Sequence, residues 1–471
     1  MMANTPVFHY FRIVLEAITP HGIQSGRGDL THDVLLVRDA NGLPAIPATS
    51  LAGVLRPLYS QHFNENAADQ LFGYAQGELG KPSALNLTWG LINDSNNQAI
   101  EGIRNDTGYD PLLAIAFKEK PLVRQRVQLN SYGSAIETGK FDTTLVPAGA
   151  RYTCFLGYWS DGSDQQEKAI EQLLSLLTSS AFRIGHGTRA GQGAFNVHSL
   201  HGARWDLTTA EGRRSFCKRP RQRAQIGNLV PLSLSPLTEK TLTFSLNLRA
   251  EAGWRIGGGE QPFSDSNEQG RTPDILPQSE MLIRWDEKQT ASFHNQQALI
   301  PATAIKGALS HRLAFHYRCL QAEFAESTPI EPHVDCPAVR CLFGFSNDNN
   351  DDSGAQGNGA TGRVIINDLY LKAPTATRQM HNRIDQFTGG VINGALFEEE
   401  LLWQSPLQLE LSILSPDDVP EQVRRAFMLT LEDLSQGWLP LGAGGSRGHG
   451  CFKGDFQLSD STWSAKQVET V

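Results

Sequence analysis

Two glycine-rich loops carry the residue types best suited to holding a polyanion. The first runs from Arg183 to Phe195 (RIGHGTRAGQGAF) and the second from Leu441 to Phe452 (LGAGGSRGHGCF). Because glycine has no Cβ, an anion can approach such a loop and accept hydrogen bonds from consecutive N–H groups. Arg189 and Arg447 add positive charge inside the loops. A tight turn that glycine merely permits is the competing interpretation, but the recurring arginine favours an anion-binding or RNA-backbone role.

Cysteine and histidine residues gather in the second half of the chain. The spacing His-x-x-Cys-x-x-x-x-Cys, with one further cysteine upstream, is enough for a tetrahedral zinc site. The ligands would be Cys319, His333, Cys336 and Cys341. This spacing is looser than a CxxC pair, so buried free thiols are the competing interpretation. The first half has no cysteine at the corresponding place, which confines a structural zinc ion to the second half.

These motifs belong to an internal repeat. The glycine loops match at one offset, since adding 257 to Gly185, Gly187, Gly191, Gly193 and Phe195 gives Gly442, Gly444, Gly448, Gly450 and Phe452. Ile-Pro-Ala-Thr, Leu-Phe-Gly and Ile-Asn-Asp motifs also occur once in each half, in the same order. Two copies of one topology are therefore expected.

The elements that must position the loops follow one order in both copies. Each copy begins with an alternating strand, and an apolar helix follows the Ile-Pro motif. A second amphipathic helix precedes the glycine loop, and a last strand follows it. This order predicts an α+β fold of two tandem ferredoxin-like units. We assign residues 1–205 to the first unit, 206–238 to a basic linker and 239–460 to the second unit, with a disordered insertion near 346–362 and a tail at 461–471.

Composition limits the classes of function. The chain has 471 residues and a net charge of -9, which argues against binding through a broadly basic surface. Local positive charge can still bind phosphate, and the basic run in the linker is equally well a phosphate contact or a solvated segment. No apolar run is long enough for a membrane span, and the N-terminus has no secretory signal. A cytoplasmic location without membrane contact is expected.

The motifs together resemble the RAMP superfamily of CRISPR-associated proteins. The resemblance rests on Asp33-x5-Asp39, on Gly42-Leu-Pro-Ala-Ile-Pro-Ala-Thr-Ser-Leu-Ala-Gly53 and on the late glycine-rich loop. The chain looks like a tandem fusion of two backbone subunits of a type III effector complex, as in type III-D-like systems. The resemblance implies RNA-recognition-like cores with thumb hairpins. It also implies that guide RNA (crRNA), target single-stranded RNA and other effector subunits are partners.

The same resemblance implies a ribonuclease activity in the assembled complex. An aspartate after the first strand would cleave target RNA with Mg²⁺ or another divalent metal, and its motif position is Asp33. The second copy departs from this pattern. There Glu280 stands six residues before Asp286, and Asp274 lies on a longer loop. Either carboxylate is a candidate, with a slight preference for Asp274, or the second copy binds without cutting.

The resemblance also places RNA contacts around the shared motifs. The expected contacts are Ser50, Arg56 and Lys306 beside the helices, Arg124, Arg126, His381 and Arg383 in the thumbs, and Arg189 and Arg447 in the loops. A surface ion pair is the competing interpretation for each arginine. A non-catalytic scaffold is the first alternative function. A guide-precursor endoribonuclease is the second, but that activity usually needs a histidine-centred site, and no histidine is duplicated between the copies.

Overall fold

The structure is a computed structural model that describes most of the chain. The described residues are 6–25, 35–76, 79–105, 107–129, 135–264, 271–324, 332–345, 359–372, 374–460 and 463. Asp33 lies outside this part of the chain. The same holds for residues 346–358 of the expected insertion and for most of the expected tail.

The described residues form both helices and strands, most of the strands being short. The helices are α1 (Ala48–Phe63), α2 (Glu65–Phe72), α3 (Pro111–Ala116), α4 (Asp164–Ser175), α5 (Ala210–Cys217), α6 (Ala302–Leu320), α7 (Pro337–Phe343) and α8 (Glu421–Ser435). The strands of the first half are β1 (Val7–Ala17), β2 (Ala45–Ile46), β3 (Tyr74–Gln76), β4 (Leu79–Lys81), β5 (Leu85–Leu87), β6 (Gly90–Ile92), β7 (Leu122–Leu129), β8 (Ala135–Leu145), β9 (Arg151–Ser160), β10 (Phe195–Asp206) and β11 (Val230–Pro231). Those of the second half are β12 (Thr241–Ala250), β13 (Gly253–Trp254), β14 (Ser279–Trp285), β15 (Ala291–Ile300), β16 (Gly344–Phe345), β17 (Ala360–Thr361), β18 (Val364–Ile366), β19 (Leu369–Leu371), β20 (Ala376–His381), β21 (Phe397–Trp403), β22 (Pro406–Leu414) and β23 (Phe452–Leu458).

Each unit is built on its own antiparallel sheet, and the two sheets have the same strand order. The central order is β10-β1-β9-β6 in the first unit and β23-β12-β22-β18 in the second. Along the chain these are the fourth, first, third and second strands of a βαββαβ unit. The unit helices are α1 and α4 in the first half and α6 and α8 in the second. This order agrees with the ferredoxin-like expectation, and it places each glycine loop directly before the last of the four strands of its unit.

The predicted strand faces are confirmed in the second unit. Leu242, Phe244, Leu246 and Leu248 of β12 are all buried, and the residues between them are largely exposed. Strand β1 differs because nearly all of it is buried, on both faces. The residues that cover its outer face come from the segment expected to be a linker.

Residues 206–238 are a folded extension of the first unit. They contain α5 and the short strand β11, which pairs with β10. The Phe216 ring packs edge-on against Phe8, with centroids 5.5 Å apart. Arg223 forms an ion pair with Glu101, so part of the basic run is neutralised internally. The linker prediction is therefore wrong, because aromatic residues on the outer face of the sheet need a cover.

Trp463 corrects the expected tail at one position. The side chain is only 3% exposed, and it packs edge-on against Phe244 and Phe427 of the second core. Burial of so large an apolar side chain fixes the chain at this point. Among the described residues, no helix combines the length and apolar character that a membrane crossing requires.

Each unit extends one hairpin onto the other unit. The β14–β15 hairpin of the second unit lies on the first, where the Ile283 N–H donates to the Ala148 carbonyl at 3.0 Å and Trp285 Nε1 donates to the Gly149 carbonyl at 2.8 Å. The β7–β8 hairpin of the first unit reaches the second in return. It and the β20–β21 hairpin occupy the positions expected for thumbs, and we call them the first and second thumb.

Candidate nucleic-acid interface

The two glycine loops have the same backbone. Gly185, Gly187, Gly191 and Gly193 have φ angles of 99°, 68°, 90° and 71°, and Gly442, Gly444, Gly448 and Gly450 have 91°, 81°, 80° and 75°. Residues other than glycine rarely adopt these φ angles. A short 3-10 turn lies inside each loop, at Thr188–Ala190 and at Gly445–Arg447. The repeat in sequence therefore encodes a repeated left-handed backbone.

Each turn presents N–H groups that no described backbone carbonyl accepts from. In the described part of the chain, the N–H groups of Thr188 and Arg189 make no backbone hydrogen bond, and neither do those of Gly445 and Ser446. Adjacent N–H groups at the start of a turn form a small concavity of partial positive charge. Both loops thus keep the donors that an anion would need.

The loops differ in what covers them. A Cβ on Gly191 would lie 2.3 Å from Ala302 Cβ, at the start of α6 in the second unit. A Cβ on the equivalent Gly448 would meet nothing within 4 Å. The first loop therefore lies in the junction between the units, whereas residues 445–448 of the second loop are exposed.

Four basic side chains gather around the first loop. We call Arg126, Arg183, Arg189 and Lys306 the first-loop cluster. Arg126 comes from the first thumb and Lys306 from α6, so the cluster joins both units. None of the four forms an ion pair with a carboxylate in the described part of the chain. Arg126 Nε and Arg189 Nε are buried and have no hydrogen-bond partner among the described groups. The cluster is an excess of positive charge that an anion would neutralise.

Burial and mutual repulsion disfavour the charged forms of Lys306 and Arg183 in this cluster. Burial, with Arg189 and Arg183 nearby, lowers the pKa of Lys306 to about 7. Burial and the charge of Arg189 lower the pKa of Arg183 to about 10. Among the described groups, Lys306 Nζ donates to two backbone carbonyls, those of Arg189 and Val364. A bound phosphate would favour the charged lysine and oppose these shifts.

Arg124 has a different role from the one predicted. Its guanidinium is 2% exposed and contacts Glu280 at 2.7 Å and Asp368 at 2.6 Å. Burial alone would lower the pKa of Arg124, but the two carboxylates outweigh burial and raise it. Because both carboxylates belong to the second unit, this residue ties the units together and is not available to RNA. The predicted RNA contact is wrong at Arg124.

The geometry of Glu280 argues against its candidacy as a catalytic base. The side chain is buried, and its oxygens accept hydrogen bonds from Arg124 and from the Tyr370 hydroxyl at 2.7 Å. Burial raises the pKa of Glu280 against the opposing effect of Arg124. In this arrangement no oxygen faces solvent. Asp274 is exposed, and its carboxylate accepts a hydrogen bond from the Glu398 N–H at 2.8 Å, so only Asp274 of the two is accessible.

The second loop has its own group of charged side chains. We call Arg255, His381, Glu399, Arg447 and His449 the second-loop cluster. Glu399 is buried in the second thumb, and Arg255 Nε donates to its Oε2 at 2.8 Å. The other three approach its Oε1 at 2.6 Å (His381), 3.6 Å (Arg447) and 3.8 Å (His449). The structure thus brings together the predicted contacts His381 and Arg447.

The remaining predicted contacts do not join either cluster. Arg56 forms an ion pair with Asp69 and donates to the Gly73 carbonyl at 2.6 Å, as the competing interpretation holds. Ser50 lies in the first turn of α1 and is partly exposed. Arg383 is exposed, two residues beyond the end of β20 in the second thumb. The predicted catalytic residue Asp33 lies outside the described residues.

The predicted zinc ligands are not assembled. Cys336 is buried in the second core, while Cys319 is exposed. His333 stacks on His311 with ring centroids 3.5 Å apart. Among the described residues, no three His, Cys, Asp or Glu side chains converge as a metal site would require. The residues present therefore do not fit a zinc site, and no role is assigned to zinc.

Comparison with known proteins identifies the class. The model of the RAMP superfamily matches residues 14–196 and again 247–453. These two matches span most of the chain, and each covers one of the repeated units. The protein therefore belongs to the RAMP superfamily, whose membership indicates a CRISPR-associated, RNA-binding subunit. No curated protein matches the chain.

Several residues of the two clusters escaped the sequence analysis. Arg255, Glu399 and His449 of the second-loop cluster were not predicted as contacts, nor was Arg183 of the first-loop cluster. His449 could have been predicted from the sequence, since it lies inside the second glycine loop. Glu399 is one of three consecutive glutamates, and the sequence does not show which of them faces the second loop; in the structure Glu399 and Glu400 are both buried, and Glu399 contacts the loop. Alternation along one strand cannot reveal a contact between four separate segments.

Proposed function

We propose that the chain is a tandem backbone subunit of a type III-like CRISPR effector complex and that its glycine loops hold guide RNA. The observation that carries this proposal is the first-loop cluster, in which Arg126, Arg183, Arg189 and Lys306 form no ion pair with a carboxylate of the described residues. A protein seldom keeps four crowded cations unless a ligand supplies negative charge. The phosphates of an RNA backbone supply it repeatedly, once in each nucleotide.

The two loops would contact the RNA backbone in different surroundings. At the first loop the RNA would meet side chains of both units, because α6 and the first thumb border it. At the second loop the turn is open, so that RNA and a neighbouring subunit can share it. Unused N–H groups in each turn supply hydrogen bonds that do not depend on base identity. Such contacts suit a subunit that must accept any guide sequence.

Target cleavage is the second part of the proposal and rests on the resemblance. Asp33 would accept the proton of the RNA 2′-hydroxyl, whose oxygen then attacks the adjacent phosphorus and displaces the 5′-oxygen. A bound divalent metal would supply further stabilisation of the charge on the phosphate. Because Asp33 lies outside the described residues, no step of the reaction is assigned to that metal. In the second unit, Asp274 is the accessible candidate.

Reconstitution of the complex tests this function. The assembled complex is mixed with labelled complementary RNA and Mg²⁺, and both binding and cutting are measured. We expect Asp33→Ala to lose one cut and to bind target as well as the wild type does. Asp274→Asn, as the matched change in the second unit, shows whether a second cut depends on that residue. Binding without any cutting by the wild type would reduce the function to that of a non-catalytic scaffold.

A further inference from the structure

The turn between β8 and β9 of the first unit receives the β14–β15 hairpin of the second unit. The hairpin donates to this turn twice, from the Ile283 N–H to the Ala148 carbonyl at 3.0 Å and from Trp285 Nε1 to the Gly149 carbonyl at 2.8 Å. The Arg151 guanidinium lies over the Trp285 ring, 4.1 Å from the ring centroid. One long hairpin therefore covers the turn and accounts for its carbonyls.

The second unit has an equivalent turn between β21 and β22. Ala150 and Ser405 correspond, because each carbonyl accepts a hydrogen bond from the alanine that ends the first strand of its unit, at 2.9 and 3.3 Å. The residues before them, Gly149 and Gln404, both have a positive φ, of 88° and 43°. The backbone that accepts the hairpin in the first unit is thus repeated in the second.

In the second unit this turn borders an open cavity of about 570 Å³. Trp403, Gln404 and Gln408 line the cavity from one side, and Arg249 and Lys372 line it from β12 and from the end of β19. The Trp403 side chain is 38% exposed, and no described backbone N–H donates to the Gln404 carbonyl. The described residues of this chain therefore leave the equivalent docking position open.

The rim of the cavity is positively charged. Arg249 and Lys372 are exposed, and neither forms an ion pair with a carboxylate of the described residues. In the first unit the position of Arg249, one residue before the end of the strand, belongs to Glu16, which forms an ion pair with Arg151 at 2.7 Å. The first site thus balances its own charge, whereas an occupant of the second site has to bring carboxylates.

A second copy of this chain does not have a suitable hairpin to offer. The turns Asp39–Leu43 and Asp286–Thr290 correspond, since each is closed by a backbone hydrogen bond between its end residues, at 2.8 and 3.0 Å. The Ile-Pro motif follows at Ile46, three positions after the first turn, and at Ile300, ten positions after the second. Three residues of strand span about 10 Å and ten span about 33 Å. The long β14–β15 hairpin already lies on its own first unit.

We propose that the cavity beside Trp403 is a docking site for a long β-hairpin with acidic side chains, and that this hairpin belongs to a different polypeptide. A backbone N–H of the hairpin donates to the Gln404 carbonyl, and its carboxylates pair with Arg249 and Lys372. Burial of the Trp403 indole supplies affinity, and the charge pairs select the partner. This inference goes beyond the proposed function, because the contact requires neither RNA nor a metal.

Photo-crosslinking in the assembled complex identifies the occupant of the cavity. The photoreactive amino acid p-benzoylphenylalanine replaces Gln408 in the cavity wall or, as a control, the exposed Arg214 of α5. We expect position 408 to crosslink to a hairpin of a different subunit, close to an aspartate or glutamate, and position 214 not to reach that hairpin. Crosslinks from position 408 to a second copy of this chain or to RNA, or the lack of any protein crosslink, would overturn the proposal.

Charge reversal at the rim tests the chemistry of docking. Arg249→Glu/Lys372→Glu should lower affinity for the crosslinked partner by at least about 10-fold, because like charges then face each other. Arg214→Glu/Arg221→Glu makes the same charge change on the exposed basic segment and should leave that affinity unchanged. Equal affinity of the two variants would contradict the proposal. So would self-association of the purified chain that the Arg249→Glu/Lys372→Glu variant abolishes in sedimentation.

RNA affinity is measured in parallel on the purified chain. The Arg249→Glu/Lys372→Glu variant should bind single-stranded RNA as the wild type does, because both residues lie outside the glycine loops. A docking defect with normal RNA binding supports the site. A wild type that docks its partner but does not bind RNA would overturn the proposed function and leave this site standing, so that the two failures are distinguishable.

Discussion

At the scale of single residues, two arginines of one strand have different roles in this protein. Arg124 is fully paired and holds the units together, while Arg126, two positions along the same strand, has no carboxylate partner in the described chain. The difference lies in the facing residues. The two side chains lie on the same face of β7. Arg124 meets Glu280 and Asp368, whereas Arg126, two residues further along, meets the first glycine loop. Sequence reasoning treated the two arginines alike because spacing shows neither the partner nor the depth.

Loss of Arg124 should destabilise the whole chain. Arg124→Met leaves Glu280 and Asp368 buried without their cation, and breaking such a pair costs about 3–5 kcal/mol. Urea denaturation would measure the loss, with Arg383→Met at an exposed site as the control. Adding Glu280→Gln and Asp368→Asn to Arg124→Met should recover part of the stability, because no buried charge then remains. A stability of Arg124→Met equal to that of the control would show that the ion pair does not tie the units.

At the scale of elements, each glycine loop depends on both conformation and contact. All eight repeated glycines have positive φ, so any side chain strains the backbone. Only the first loop is also pressed against another element. The two effects can be separated because Gly191 and Gly448 are equivalent and have similar φ angles of 90° and 80°.

Substitution of these two glycines should have unequal effects. Gly448→Ala should cost roughly 1–2 kcal/mol, the usual cost of a left-handed residue with a side chain. Gly191→Ala should cost clearly more, because its Cβ would overlap Ala302 Cβ at 2.3 Å in addition. Urea midpoints of the two variants give the comparison. Equal midpoints would mean that α6 does not press on the first loop in solution.

The elements were the most predictable part of the molecule. Alternating and helical apolar patterns placed β12, β14, α1, α4 and α8 correctly. A strand or helix with one buried face repeats its apolar residues at the period of its backbone, so its sequence reveals it. The repeat fixed the common topology, because motifs in one order require one chain path. The segment at 206–238 was not predictable in this way. Its few apolar residues match no regular period and acquire meaning only when the outer face of β1 is known to need cover.

At the scale of the whole molecule, the two units are unequal partners in one surface. The first loop is completed by the second unit, and the second loop remains open. The formal net charge of -9 gives no sign of the first-loop cluster, because its four cations are concentrated at the junction between the units. Composition could exclude a broadly basic surface but could not locate a small basic one. The clusters combine side chains from distant segments, and only the folded chain brings those segments together.

The salt dependence of RNA binding tests the central claim that the glycine loops hold the RNA backbone. The variant Arg189→Ala/Arg447→Ala is compared with Arg214→Ala/Arg221→Ala, which removes two exposed arginines from the basic segment. Affinity for single-stranded RNA is measured over a range of salt concentrations. Each lost phosphate contact should lower the slope of log affinity against log salt by about 0.7, so the loop variant should lose roughly 1.4 and the control nothing. An unchanged slope in the loop variant, or an equal loss in the control, would contradict the account.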